Sequence, residues 1–158
     1  TAAEVKVDAG EAHTCAVRKS GKVRCWGNDD WGQASPASGR FRSLDSWAST
    51  VCGVKRNDRV RCWGFDAAGQ ASPPGGRFTS VSAGYFYSCG IKRSGRVRCW
   101  GENDEGQGSP LGGSFASLSA GYSHTCGVRK NGRVRCWGAD AYGQASPPPG
   151  RFSSVDAG

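Results

Sequence analysis

The pattern Cys, nine residues, Cys-Trp-Gly occurs four times in this chain, each copy beginning 37 residues after the one before. The first cysteines are Cys15, Cys52, Cys89 and Cys126, and the second are Cys25, Cys62, Cys99 and Cys136. A fixed period of this size marks a repeat architecture, in which one small unit cannot bury its apolar face alone and must stack on its neighbours. The length, 158 residues, allows one domain or one repeat array.

Eight cysteines at paired spacing point to four disulfides and an oxidising compartment. Zinc is the alternative, but zinc sites want close Cys pairs or added His. Here every gap is nine residues or more, and there are two His. No stretch is apolar and long enough to span a bilayer. The chain begins Thr1-Ala2-Ala3-Glu4 without an initiator Met, as expected of a mature, processed product or a trimmed chain.

The fourth copy reads most cleanly. Ser114 to Gly121 opens it, with Phe115 and Leu118 as apolar anchors. Thr125 to Arg129 and Arg133 to Trp137 read as strands, joined at Lys130-Asn131-Gly132. If Cys126 faces Cys136, then Gly127 faces Arg135, Val128 faces Val134 and Arg129 faces Arg133. The remaining three-residue turn wants a left-handed backbone at its last position. Gly21, Gly95 and Gly132 supply it in three copies and Asp58 in the second. A bare hairpin is marginal in water. Closing so short a ring removes roughly 2.5–3 kcal/mol of unfolded-state entropy in the chain model. The predicted links are therefore Cys15–Cys25, Cys52–Cys62, Cys89–Cys99 and Cys126–Cys136. No segment shows helical periodicity.

Other positions recur in register. They are the Trp-Gly after each second Cys, Gly-Gln at 32–33, 69–70, 106–107 and 143–144, and Ser-Pro at 35–36, 72–73, 109–110 and 146–147. Phe41, Phe78, Phe115 and Phe152 also recur, with Glu4 in the equivalent place before the first copy. A Trp in every copy predicts a buried platform between repeats.

This combination, Ala120-Gly121-x-x-His124-Thr125-Cys126-Gly127-Val128, Gly132-Arg133-Val134, Cys136-Trp137-Gly138 and Gly143-Gln144, resembles the repeat of the regulator-of-chromosome-condensation superfamily. Its Cys-containing form is similar to bacterial extracellular members and to the ectodomains of plant Crinkly-type receptor kinases. The resemblance covers nearly the whole chain. It implies an all-β propeller-type array, each blade built of three to four short antiparallel strands. It also implies binding rather than catalysis: small-GTPase exchange, β-lactamase inhibition, and receptor or matrix interactions occur on this scaffold, and fold does not choose among them.

Two departures stand out. Familiar members close with seven blades, whereas this chain holds four repeats. In the second repeat, Asp45-Ser46-Trp47-Ala48-Ser49-Thr50 replaces the Asp/Ser-Ala-Gly-x-x-His/Tyr of the others. The expected organisation is one repeat domain over 1–158, with repeats near 4–40, 41–77, 78–114 and 115–151, and 152–158 starting a further repeat or closing the ring or an oligomer. Val7-Asp8-Ala9-Gly10 returns as Val155-Asp156-Ala157-Gly158, and one closed ring of four needs that strand once. An open array, a homo-oligomer paired through the terminal strands, or a piece of a longer array would each account for it.

Net charge is +8, and 16 of the 21 Lys/Arg occupy four repeated hairpin positions, 18, 19, 22 and 24 and their equivalents. They should form a basic rim suited to an acidic protein or acidic glycan. Nucleic acid is not expected, because no nucleic-acid-reading module is present. Arg24, Arg61, Arg98 and Arg135 share a strand face with the tryptophans, which predicts cation–π packing.

The most variable segments are the loop after Trp-Gly and the patch before the first Cys. Their aromatics, Trp31, Phe65, Tyr85, Phe86, Tyr122 and Tyr142, suit recognition by stacking or hot-spot burial. Asp29-Asp30 and Asp104-Glu105 could hold a cation, but their counterparts Ala67-Ala68 and Ala141-Tyr142 show that the repeat does not demand one. His13 and His124 share a repeat position with Thr50 and Tyr87 and read as structural. No nucleophile elbow, phosphate loop, metal-binding His pair or paired-carboxylate motif occurs. The sequence therefore reads as a secreted, non-catalytic binding module without cofactor or metal, recognising a protein partner through variable loops and a basic rim. The alternative is a multivalent lectin, although equal sugar pockets should repeat their polar groups.

Overall fold

The structure is a computed structural model that describes residues 7–158. Glu4 and the start of the first expected repeat lie outside the described residues. Twelve strands follow one another, with no helix among the described residues. They are β1 (Val7–Ala9), β2 (His13–Val17), β3 (Val23–Gly27), β4 (Phe41–Trp47), β5 (Thr50–Lys55) and β6 (Val60–Gly64) in the first two repeats. The last two contain β7 (Phe78–Ala83), β8 (Tyr87–Lys92), β9 (Val97–Gly101), β10 (Phe115–Ala120), β11 (His124–Arg129) and β12 (Val134–Gly138). Each consecutive trio makes one antiparallel sheet in sequence order, giving four blades.

The hairpin register is the one the cysteine pattern dictates. Cys126 opposes Cys136, Gly127 opposes Arg135 and Val128 opposes Val134. The same pairing holds in the other three hairpins. All eight cysteines are joined within their own repeat. The turns close on Gly21, Gly95 and Gly132 at φ 86°, 84° and 84°, and on Asp58 at 65°. Asp58 has a use that glycine could not serve: its carboxylate takes Arg42 at 3.0 Å and Arg93 of the next blade.

Strands β1, β4, β7 and β10 are innermost and pack on one another in order. A polar ladder joins them. The Ala83 N–H donates to Asp45 Oδ2 at 2.7 Å, the Ala120 N–H to Ser82 Oγ at 3.1 Å, and the Ala157 N–H to Ser119 Oγ at 2.9 Å. Farther out, three tryptophans bind the preceding blade. Trp63, Trp100 and Trp137 donate Nε1–H to the backbone carbonyls of Gln33, Gln70 and Gln107 at 3.1, 2.8 and 2.9 Å. Their rings meet Phe41, Phe78 and Phe115 edge-on at 5.6, 6.1 and 5.7 Å, a favoured aromatic geometry.

The expected platform therefore exists, with one exception. Trp63 and Trp137 are 8% and 6% exposed, but Trp26 is 55% exposed. Among the described residues no earlier blade presents a glutamine carbonyl to it. At the other end, residues 152–158 follow the path of an inner strand. The Phe152 N–H donates to the Gly132 carbonyl and the Tyr122 N–H to the Gly158 carbonyl, as Phe115 does to Gly95 and Tyr85 to Gly121. This segment forms no ladder of its own.

The departure in the second repeat is a compensated exchange. A Cβ on Gly10 or Gly84 would lie 2.2 and 2.4 Å from the rings of His13 and Tyr87. Glycine is thus required over these two rings; at Gly121, three residues before His124, a Cβ would instead meet the Gly158 carbonyl at 2.3 Å. In the second repeat that ring is replaced by Thr50, and Trp47 stands in the glycine position. The buried His13 has no hydrogen-bond partner on either ring nitrogen among the described residues. Burial lowers its pKa against the opposing pull of Asp8, and burial lowers that of His124 against Asp140.

Two outcomes follow from this packing. Trp63→Phe removes a buried donor and strands a buried carbonyl, which costs about 1–3 kcal/mol. Trp26→Phe, the same change at the exposed end, should stay within about 0.5 kcal/mol; urea unfolding of the pair checks the contrast. The histidines give a pH dependence whose sign is fixed. A depressed folded-state pKa means that the unfolded chain binds the proton first, so stability is full above pH 6.5 and falls as pH drops through it. The urea midpoint should decline on acidification below neutrality, and His13→Thr with His124→Thr should flatten that decline; an unchanged slope would refute the assignment.

Candidate functional site

Antiparallel hairpins send all turns to one end of the blades and the segments flanking Trp-Gly to the other. The loop after Trp-Gly, variable in sequence, is braced in the same way in every copy. The Gln33, Gln70, Gln107 and Gln144 Oε1 atoms accept the N–H two residues earlier, at 2.8–2.9 Å. Asp29, Asp66, Asn103 and Asp140 accept the N–H five residues later, at 2.8, 2.6, 2.7 and 2.7 Å. The three aspartates also accept the hydroxyls of Ser35, Ser72 and Ser146. The Asp140 carboxyl is accordingly held below its usual range by Ser146 and the Ala145 amide. Asp29, weighed above as a cation ligand, spends both oxygens on this bracing. The recurring Asp/Asn two places after Trp-Gly was a readable signal for the brace.

Fixed loops place the variable side chains together. Trp31 meets Phe65 edge-on at 4.9 Å, and Phe65 lies 5.7 Å from Phe86. Phe86 lies 4.0 Å from Tyr85, which stacks on Tyr122 at 4.2 Å with 13° between the rings. Five of the six aromatic candidates thus form one row across four repeats. Tyr142 is left out: it is 95% exposed, and none of the ring contacts among the described residues involves it.

Beside the row lie two adjoining hollows of about 340 and 220 Å³ that share Glu11, Trp47, Ala48 and Tyr85. Tyr122 completes the first of them. Residues 11, 48, 85 and 122 are one repeat position, so a single register brings Glu, Ala, Tyr and Tyr to one mouth. Glu11 and Trp47, not singled out from the sequence as site residues, belong to this site. Burial pushes the Tyr85 phenol up, aided by Tyr122 and by the charges of Glu11 and Glu102. Ala48 and Phe86 have φ 47° and 60°. Apart from the turn residue Asp58, they are the left-handed non-glycine residues among those described, and such strain costs of order 1–3 kcal/mol each.

The opposite end is basic. Arg24, Arg61, Arg98 and Arg135 are exposed on the outer strands. Arg61 and Arg135 line equivalent hollows with Arg59 and Arg133, beside the proline loops. Part of the rim is structural: Arg56 donates to the Lys19 carbonyl at 3.2 Å, tying two hairpin tips together, and Arg77, just before β7, donates to the Asn57 carbonyl at 3.0 Å. The cation–π pairs are Lys55 over Phe41 and Arg129 over Phe115, not the arginines beside the tryptophans. Among the described residues no group of His, Cys, Asp and Glu is arranged to hold a metal, and no helix is long and apolar enough to cross a membrane.

The family model for the regulator of chromosome condensation (RCC1) repeat matches residues 5–33, 78–107 and 115–144. The copy left unmatched is the one carrying Trp47. No curated protein matches the chain. Among solved structures, the ectodomain of the Physcomitrella patens receptor kinase CR4 aligns at 31% identity and a TM-score of 0.83, covering 96% of this chain and 46% of that one. The CRINKLY ectodomain of the Arabidopsis thaliana receptor kinase ACR4 aligns at 34% identity and 0.72, covering 84% and 49%. Prp20p from Saccharomyces cerevisiae, at 16% identity and 0.77 over 96% and 49%, shares the fold. The chain spans about half the length of these structures. Four three-stranded blades with a staple in each, and the repeat matched in three of the four copies, establish that the chain belongs to the regulator of chromosome condensation (RCC1) repeat family.

Proposed function

We propose that this chain is a non-catalytic, extracellular binding module that takes a protein partner on its loop face, with the basic rim as a second, electrostatic surface. One observation carries the reading. A single repeat position supplies Glu11, Ala48, Tyr85 and Tyr122 to the same mouth, flanked by the row from Trp31 to Phe86. Four blades therefore build one composite site, which suits a single macromolecular epitope. A multivalent lectin would need the same polar ligands in every copy. Four disulfides and the likeness to two receptor-kinase ectodomains support the extracellular setting.

The test is a random-peptide display selection run beside a glycan array. Peptides are expected to be enriched, and Trp31→Ser or Tyr122→Ser, both exposed, should weaken them at least about tenfold, the loss typical of a hot-spot aromatic. Glycan binding with one equal site per repeat would overturn the reading. So would selected peptides indifferent to both substitutions.

A further inference from the structure

The net charge of +8 hides a polarised molecule. The loop end comprises residues 10–12, 28–33, 47–49, 65–70, 84–86, 102–107, 121–123 and 139–144. These segments hold eight of the 13 acidic residues, Glu11 and Glu102 among them, and not one of the 21 Lys/Arg. The 16 repeated cations lie on the hairpins toward the turns, at the other end. A five-residue strand separates the ends by roughly 16 Å. The Debye length at physiological salt is about 8 Å. The turn-end cations are thus screened at the loop face, and the local carboxylates set the sign there.

The aromatic rings add a second attraction of the same sign. Trp47, Tyr85 and Tyr122 line the first hollow with Glu11; Trp31, Phe65 and Phe86 line the second with the same glutamate. Ring faces attract a cation within about 6 Å of their centroids, and the gain rises when the cation is desolvated. Where this protein has its own cations over rings, it uses Lys55 and Arg129 at the hairpin end. Among the described residues the loop face has rings and carboxylates but no internal cation over those rings. A carboxylate at a mouth lined by several rings is what a cationic side chain would complement.

Resting on the reading of this face as a protein-binding site, we propose that its occupant is an extended basic segment of the partner, with a Lys or Arg side chain seated between Glu11, Trp47 and Tyr85. The charge complementarity reverses what the net charge suggests: the specific site takes a cation, while the rim attracts acids. The side chain enters with its stem along the rings and its head at the carboxylate, as amphipathic cations do. Encounter is steered by the local negative potential and weakens with salt.

The peptides recovered by display provide the probe. Those whose binding Trp31→Ser abolishes are expected to share a Lys or Arg. Replacing that residue by acetyl-lysine or citrulline should weaken binding about tenfold, and Glu11→Gln should do the same to the parent peptide while leaving the unfolding midpoint unchanged. If the loop-face peptides are neutral or acidic, or bind Glu11→Gln equally well, the cation proposal falls and the binding-module reading stands. If no peptide of any charge depends on Trp31 or Tyr122, both fall.

Discussion

The array depends on one inter-blade contact, the indole N–H of Trp63, Trp100 and Trp137 on the backbone carbonyl of the preceding blade's glutamine. Each partner is fixed by its own repeat. The tryptophan follows a cysteine locked opposite its mate, so the staple sets the strand position from which the ring projects. The carbonyl is aimed because the glutamine side chain is drawn into its own loop; Gln33, Gln70 and Gln107 are 0–1% exposed. Ser88 and Thr125 hydroxyls reach the same carbonyls of Gln70 and Gln107 at 3.1 and 3.2 Å. Fully satisfied buried carbonyls of this kind specify geometry, since leaving one unpaired is costly. The extensive strand-to-strand packing runs between neighbouring blades, so stability accumulates blade by blade.

This bracing explains how a repeat can carry an asymmetric site. In the loop after Trp-Gly the backbone is held by Gln and Asp or Asn, and in the hairpin by the disulfide and turn. Positions 11, 48, 85 and 122 and their neighbours are relieved of structural duty, so Glu, Ala and Tyr can occupy one register without disturbing the frame. Strain is concentrated in the same place. Ala48 and Phe86 adopt left-handed backbones at the mouth, tolerable because the flanking strands over-determine them.

Much of the frame was legible because its signals are local or periodic. Cysteine spacing, period-two alternation and a turn-closing Gly or Asp fix a hairpin register without knowledge of the rest. The missed features are those in which distant residues meet. Trp47 looked like a broken pattern because its compensation, Thr50 in place of a ring, requires knowing that the glycine position lies over that ring. Tyr142 and Trp31 occupy one repeat position, yet Trp31 joins the row because Phe65 stands on the next blade. The cation–π expectation failed for a geometric reason. Arg24 and Trp26 are two apart on one strand, whereas Phe41 and Lys55, and Phe115 and Arg129, oppose each other directly across strands, where side chains lie closest.

The charge pattern shows why composition misleads about partners in such a fold. A repeat that places the same cation in every copy builds a rim whose charge is large and whose geometry is uniform, good for attraction and poor for discrimination. Discrimination needs unlike groups converging on one point, which a repeat yields where its register is free to vary and its inner ends meet. In this chain those two conditions coincide at the end of the blades away from the turns. There the summed charge is negative although the protein as a whole is strongly basic. Net charge draws attention to the rim, whereas the unlike groups of the four repeats converge at the opposite face.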